Sequence, residues 1–322
     1  MEKTRKPDRK IGTFLIQNIY LFSALFVLLV FYVLNPKFLS MTSIQNMTEV
    51  LAPLLPMAMG IGFALYTGGI DLSIGAVASA TCVITGMNIQ QTGQWIIPMM
   101  LLFGIAIGVI TGALVAYLKL PSFIVTLCTQ SVFKAVAIIV SGGGSSNIPL
   151  KQRYLVNWAT KKVLGVSVLL WISLAILVIV YIIEKKTCVG KRIYTVGANE
   201  KAARLAGVNI HVTKMVAHAL CSTGAAIGGI MYAYKLKGSN PTVGNTLYMQ
   251  AISAVALGGT LFSGGKGSCL RTLVGVITVT AISSGMRFVG VDAMWENVVF
   301  GIVLIAAVAV NSEKGGRNLI IK

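Results

Sequence analysis

Ten mostly apolar stretches, each 15 to 24 residues long, follow one another along the chain and constrain its fold more than any other feature. A helix of roughly 20 apolar residues crosses the hydrocarbon core of a bilayer, where helices and closed barrels are the structures that satisfy their own backbone groups. With 11% charged residues and a mean hydropathy of +0.82, the chain has too few polar side chains to cover a water-soluble fold. The stretches lie near residues 13–34, 50–67, 74–90, 95–118, 122–142, 163–183, 215–236, 249–263, 269–288 and 296–311.

These stretches predict an all-α polytopic membrane protein with about ten transmembrane helices. The stretches 74–90 and 249–263 are short and rich in glycine, so either could be broken or re-entrant, and the predicted count is eight to ten. The run 13–34 is longer than the apolar part of a signal peptide, and we interpret it as the first membrane helix.

The distribution of the 27 lysine and arginine residues predicts the orientation of these helices. With ten crossings and the N-terminus inside, 18 of the 27 lie on the cytoplasmic side, in agreement with the positive-inside rule. We expect a basic cytoplasmic N-terminus at 1–12, one transmembrane domain at 13–311 with a cytoplasmic loop at 184–214, and a cytoplasmic tail at 312–322. Four basic residues of a predicted outer loop do not follow the rule, namely Lys151, Arg153, Lys161 and Lys162.

The net charge of +18 does not predict nucleic-acid binding. The basic residues lie between apolar stretches, whereas a nucleic-acid surface gathers them on one patch with interleaved aromatic residues. Their expected partner is the membrane lipid.

A short glycine pattern occurs twice in the chain. Residues 68–75 (GGIDLSIG) and 258–265 (GGTLFSGG) share G-G-x-x-x-S-x-G, and each follows an apolar run. Matching interruptions in two halves are typical of inverted-repeat transporters. The pattern predicts an internal inverted repeat, with chance as the alternative because the chain contains 34 glycines.

Asp71 lies within the first of these motifs, at membrane depth or at the edge of a broken helix, where an unpaired carboxylate is costly. Its expected partner is a backbone amide of the glycine turn, Ser73 or Lys134. Asp71 either caps the helix that begins near Leu72 or shapes a translocation path, and the cap is the favoured interpretation.

Small residues four apart predict close contacts between membrane helices. We expect these contacts mainly within the chain, with a dimer interface as the alternative. The residues concerned are Gly104, Gly108 and Gly112 in the fourth stretch, and Gly224 and Gly228 in the seventh.

The predicted cytoplasmic loop contains the segment 197–208 (GANEKAARLAGV). Asn199 can cap a short helix from Glu200 to Ala206, which Gly207 would end. The segment is either a docking helix or an ordinary connector on the membrane surface. We expect Ala202, Ala203, Leu205 and Ala206 to pack, and Glu200, Lys201 and Arg204 to face water or a partner.

This segment resembles the cytoplasmic coupling segment of the ribose-type permeases of ATP-binding-cassette importers. Three further stretches resemble the same family in its usual order: 66–75 (YTGGIDLSIG), 121–127 (PSFIVTL) and 256–267 (ALGGTLFSGGKG). The resemblance covers roughly residues 45–312. It implies a permease that works as a homodimer or heterodimer in the bacterial cytoplasmic (inner) membrane. It also implies a separate ATP-binding-cassette ATPase subunit and an extracytoplasmic binding protein that delivers a monosaccharide.

Two groups of site residues follow from these motifs. The ATPase-coupling site would consist of Gly197, Asn199, Glu200, Ala202, Ala203, Leu205 and Gly207. The translocation path would include Asp71, Ser73, Phe123, Thr126 and Lys134. Cys128 and the run Phe133-Lys134-Ala135 depart from the family pattern, which bears most on the substrate. Ribose, another pentose or hexose, a furanosyl signalling molecule and a nucleoside all stay open.

The glycine-rich run 258–268 does not fit the phosphate-binding pattern G-x-x-x-x-G-K-[ST]. Counting back from Lys266, Thr260 stands at the first glycine position, and Gly267 follows the lysine. We therefore expect a non-catalytic chain with no cofactor of its own, ATP and Mg²⁺ being bound by the partner ATPase.

Two other classes of membrane protein fit the chain less well. An ion-coupled secondary transporter would carry intramembrane carboxylates or histidines, and the chain offers little beyond Asp71. A membrane-embedded enzyme would need clustered His, Asp or Glu. His211 and His218 lack ligand residues at metal spacing, so no metal site is predicted, and His218 is expected to be a hydrogen-bonded helix residue.

Overall fold

The computed structural model describes residues 18–292 and 294–311, and most of them are α-helical. Ten helices of 15 residues or more in this part follow the ten predicted stretches in order, which confirms the all-α polytopic class. The predicted terminal segments 1–12 and 312–322 lie outside the described residues. The ten are α1 Ile19–Leu34, α2 Met41–Tyr66, α3 Ile74–Thr92, α4 Ile96–Tyr117, α5 Ser122–Ser141, α7 Val168–Lys186, α10 Ile210–Leu236, α11 Val243–Leu257, α12 Cys269–Phe288 and α13 Trp295–Asn311; the shorter α6 Tyr154–Thr160, α8 Cys188–Ala198 and α9 Glu200–Leu205 lie between them.

Six helical stretches of the described residues are long and apolar enough to cross a membrane, so the chain is a multi-pass membrane protein. One of them, Ile74–Tyr117, contains α3, a 3-10 turn and α4. The helix predicted at 249–263 begins and ends six residues earlier, because Gly258 and Gly259 (φ +77°) end α11 at Leu257. The number of crossings stays a prediction.

The connecting loops of the described residues meet at two ends of the helix bundle. At one, here called the glycine-rich end, the loops 67–73 and 258–268 meet the segment 187–209, which contains α8 and α9. The other, the hairpin end, carries the basic residues that depart from the positive-inside pattern. Its four short strands are β1 Ser146–Asn147, which pairs antiparallel with β4 Gly238–Ser239, and β2 Lys162–Val163, which pairs antiparallel with β3 Val166–Ser167.

The two glycine motifs lie at the same end and touch each other. The N–H of Gly265 donates to the carbonyl oxygen of Tyr66 over 2.9 Å, and a Cβ on Gly264 would lie 2.7 Å from the nitrogen of Gly68. Inverted-topology repeats place equivalent segments at opposite ends of the bundle. The match between 68–75 and 258–265 therefore marks a contact and not a pair of equivalent positions.

A different pair of elements has the form of an inverted repeat. The helices α2 and α10 are 26 and 27 residues long, and each is followed by a short loop and a further helix, α3 or α11. These two following helices meet near their N-terminal ends, where the N–H of Gly244 donates to Ser79 Oγ over 2.9 Å.

Helix α2 lies at the centre of the bundle, and every residue from Leu51 to Tyr66 is buried. Pro56 has no N–H to offer the carbonyl of Ala52, and the hydroxyl of Ser173 on α7 donates to that oxygen instead. By contrast, only 22% of the most apolar 18-residue stretch of α5 is buried, whereas 83% of the corresponding stretch of α2 is buried. α5 therefore leaves a wide face for lipid or another subunit.

The glycines spaced four apart pack helices within the chain, which confirms the favoured prediction. A Cβ on Gly108 of α4 would lie 2.5 Å from the Cα of Ala219 on α10. A Cβ on Gly224 of α10 would lie 2.9 Å from the Cα of Gly60 on α2. Helix α10 thus approaches both neighbours at backbone distance.

Candidate functional site

The segment 197–208 folds as its sequence predicts. Asn199 Oδ1 accepts a hydrogen bond from the N–H of Ala202 (3.1 Å), and α9 runs from Glu200 to Leu205. Gly207 has a φ of +79°, and the N–H of Val208 returns to the carbonyl of Ala203 over 3.0 Å. The capped, glycine-terminated helix is confirmed.

The predicted packing face of α9 is wrong except at Ala203. Ala203 is fully buried against Val196 and Ile210, whereas Leu205 is 91% exposed. Ala202 and Ala206 are exposed as well. Two residues correspond to about 200° around a helix, so a face that buries Ala203 turns Leu205 away from the chain. Burial therefore leaves an apolar side chain facing outward.

The segment 197–208 and the preceding α8 lie on the end of α2 and on the loop 258–268. A Cβ on Gly197 would overlap the carbonyl oxygen of Tyr66 and lie 2.6 Å from the nitrogen of Gly265. In addition, the hydroxyl of Tyr194 donates to the carbonyl of Gly267 over 3.0 Å. The backbone of α8 thus lies directly on the last residue of α2 and on the second glycine motif.

A cavity of about 720 Å³ lies between this segment and the turn that joins α4 to α5. Its lining includes Lys119, Arg204 and His211, together with Glu200 and Lys214, which form an ion pair over 2.6 Å. The lining thus carries more basic than acidic side chains, and a partner that enters it would meet a basic surface.

Asp71 belongs to a closed network of buried groups. Its Oδ1 accepts hydrogen bonds from the N–H (2.9 Å) and the hydroxyl (2.6 Å) of Ser73, and its Oδ2 lies 2.9 Å from His218 Nδ1. Ser73 is thus confirmed as a partner of Asp71. The prediction of Lys134 as a partner is wrong, because Lys134 lies at a different cavity. His218 is hydrogen-bonded within a helix, as predicted. Burial raises the pKa of Asp71, but the hydrogen bond and charge of His218 and the bonds from Ser73 outweigh it, so this pKa lies below its ordinary value.

Thr126 ties the same loop to α5. Its hydroxyl reaches the carbonyl of Ile70 over 3.3 Å, and the N–H of Ile70 donates to Ser122 Oγ over 3.0 Å. Asp71, Ser73 and Thr126 are all 0% exposed, while Phe123 is exposed on the surface of α5. A role of these four residues in the translocation path stays a prediction, and the hydrogen bonds of Asp71, Ser73 and Thr126 hold the loop 67–73 in place.

Replacing Asp71 with alanine should lower the stability of the folded chain. The change leaves His218 and Ser73 buried without their partner, and breaking such a buried pair costs roughly 3–5 kcal/mol. The exposed Asp292 provides a matched control, since its Oδ1 accepts a hydrogen bond from the backbone N–H of Met294 (2.8 Å) at the protein surface, and the loss of such an acceptor costs about 1 kcal/mol. The measurement is the temperature at which half of the purified protein aggregates in detergent. Equal midpoints for Asp71→Ala and Asp292→Ala would contradict the network.

A second cavity, of about 260 Å³, lies where the first turns of α3 and α11 meet α5 and α13. Lys134 lines it, together with the amide side chains of Gln130, Asn245 and Asn297. None of these three amides was among the predicted site residues, although a polar side chain inside an apolar helix is a signal that could have identified them. Amides present hydrogen-bond donors and acceptors in pairs, so the cavity can bind a polar solute.

Residues 43–308 match the family model described as branched-chain amino acid transport system / permease component. The ribose import permease protein RbsC of Escherichia coli (strain K12) is 30% identical over 87% of this chain and 89% of the relative. RbsC of Bacillus subtilis (strain 168) is 31% identical over 91% of this chain and 92% of the relative. The galactose/methyl galactoside import permease protein MglC of Haemophilus influenzae is 29% identical over 94% and 96%. No solved structure matches the chain.

Proposed function

The chain belongs to the family described as branched-chain amino acid transport system / permease component, and from this premise we propose that it is the permease subunit of an ATP-driven sugar importer. Its two named kinds of relative, ribose and galactose import permeases, support a monosaccharide as the solute. A partner subunit of the ATP-binding-cassette class binds ATP and Mg²⁺ and hydrolyses the nucleotide, and this chain carries out no catalysis.

The observation that carries the proposal is the exposed apolar surface of α9. Leu205 is 91% exposed on a short helix that is capped by Asn199 and seated through Gly197 on the bundle. An isolated helix of six residues has no stability of its own in water, so its contacts with the bundle hold this shape. We propose that the ATPase receives Leu205 in a groove, with the basic cavity beside it.

The solute path lies, in this proposal, at the 260 Å³ cavity and is completed by a second permease copy or a homologue. Lys134 is exposed at the thirteenth of the 20 residues of α5. A lysine at the centre of a membrane helix costs about 2.5–3.5 kcal/mol on insertion scales, so facing lipid there is unfavourable. A water-filled path between two copies would remove that cost.

The proposed orientation places the glycine-rich end and both chain termini in the cytoplasm. It follows the 18 of 27 basic residues that lie on that side of the predicted topology. The hairpin end then faces outward, where an extracytoplasmic sugar-binding protein would deliver the solute.

Reconstitution in liposomes tests the proposal. Combined with the proposed ATPase and binding protein, the chain should concentrate a sugar inside vesicles only when ATP reaches the ATPase. Ribose, galactose and a nucleoside, offered in parallel, should give uptake of one of the two sugars. ATP hydrolysis by the chain alone, or uptake driven by an ion gradient without ATP, would overturn the assignment.

A further inference from the structure

Glu184 is a buried carboxylate near the C-terminal end of α7. It lines neither of the two cavities and is not part of the exposed surface of α9. It is 2% exposed. A negative charge at this end of a helix faces the negative pole of the helix dipole, which is unfavourable without compensation. Lys185 Nζ lies 2.9 Å from one carboxylate oxygen. The other oxygen accepts a hydrogen bond, over 2.7 Å, from the backbone N–H of Cys269.

The bond to Cys269 supplies a missing helix cap. Cys269 is the first residue of α12, and the preceding Ser268 makes no side-chain cap hydrogen bond. The first N–H groups of a helix need acceptors, and a negative charge is favoured at this end. Glu184 provides both from another helix, so the end of α7 is tied to the start of α12.

A second bond joins the same parts of the chain. Tyr194 of α8 donates its hydroxyl to the carbonyl of Gly267, two residues before α12 begins. The Tyr194 ring stacks on Tyr66 with centroids 4.8 Å apart. Because Thr187 alone separates α7 from α8, Glu184 and Tyr194 belong to one continuous piece that leads into the coupling segment.

Helix α12 in turn contacts α11, one of the four helices that line the smaller cavity. A Cβ on Gly258, at the end of α11, would lie 2.8 Å from the carbonyl oxygen of Arg271 in α12. Gly275 of α12 approaches the carbonyl of Ala254 in α11 closely as well. A displacement of the first turns of α12 therefore acts on α11, whose first turn carries Asn245 beside the cavity.

From this geometry we infer that Glu184 is a positioning residue that transmits movement of the coupling segment to α12, with Tyr194 as the second contact. The inference rests on the proposed docking of an ATPase on α9. The helices α7 and α10 are joined to the segment by the chain and would move with it. The inference adds α12 to these two helices.

The test measures ATP hydrolysis and solute uptake in vesicles that contain the permease, the ATPase and the solute-loaded binding protein. Glu184→Ala should still co-purify with the ATPase. The rate of ATP hydrolysis stimulated by the binding protein should fall about tenfold or more in this variant. Glu184→Gln keeps an oxygen that can accept from Cys269 and should stay within about threefold of wild type. Tyr194→Phe keeps the stacked ring, loses only the hydroxyl, and should lower stimulation. Tyr154→Phe, the same change at the hairpin end, should not.

The outcomes separate the two proposals. Wild-type stimulation in Glu184→Ala would overturn the inference and leave the docking proposal standing. A wild-type chain that does not retain the ATPase would overturn the docking proposal itself. If Glu184→Ala does not reach the membrane, Tyr194→Phe decides, and unchanged stimulation in that variant would overturn the inference.

Discussion

Replacing Gly197 with alanine is expected to abolish import, although it adds a single methyl group. The new Cβ would overlap the carbonyl oxygen of Tyr66 and lie 2.6 Å from the nitrogen of Gly265. Both are backbone atoms, so no side-chain rotation relieves the clash. Overpacking typically costs about 1–3 kcal/mol. Here a shift of α8 away from Tyr66 and from the second glycine motif would relieve the clash. The segment 197–208 would then lose its contacts with the end of α2 and with the loop 258–268.

Gly301→Ala is the matched control for this change. Gly301 also lies inside a helix, α13, but a Cβ there would meet nothing within 4 Å. Membrane abundance, co-purification of the ATPase and ATP-dependent uptake should be normal for Gly301→Ala. Gly197→Ala should reach the membrane and transport at less than about a tenth of the wild-type rate. Wild-type uptake in Gly197→Ala would show that the segment does not need this contact.

The length and apolar composition of the stretches were enough to predict the helices, because lipid leaves the backbone few other choices. The cap at Asn199 and the stop at Gly207 were also predictable, since each depends on residues within four positions of the helix end. The start of α2 was missed by nine residues because its first turns are polar, although Ser40 caps the helix by accepting from the N–H of Ser43.

Contacts between distant parts of the chain were not predictable from local pattern. The partner of Asp71 is His218, 147 residues further along, and no spacing rule connects them. The role of Glu184 depends on a helix that starts 85 residues later. The packing face of α9 failed for the same reason, since Val196 and Ile210 decide which side is covered, and neither lies within the helix.

Leu205→Asp is expected to abolish retention of the ATPase without disturbing the permease. The side chain is 91% exposed, whereas that of Ala203 is fully buried. Replacing Leu205 therefore removes far less packing within the folded chain than replacing Ala203 would. Ala203→Arg would be a less direct probe, because Ala203 is buried within this chain and the arginine would displace α9 itself. In a docked complex, an aspartate in an apolar groove would be buried unpaired, and central interface positions lose about 2 kcal/mol or more on such changes.

The control for Leu205→Asp is Leu150→Asp, the same substitution at a leucine that is 78% exposed at the hairpin end. Both variants should reach the membrane at wild-type abundance. Leu150→Asp should retain the ATPase, while Leu205→Asp should lose it, with roughly 30-fold weaker binding, the ratio that 2 kcal/mol implies. If Leu205→Asp retains the ATPase and transports normally, α9 is a connector on the membrane surface. Weaker association of that variant with lipid vesicles would then explain why an apolar side chain faces outward there.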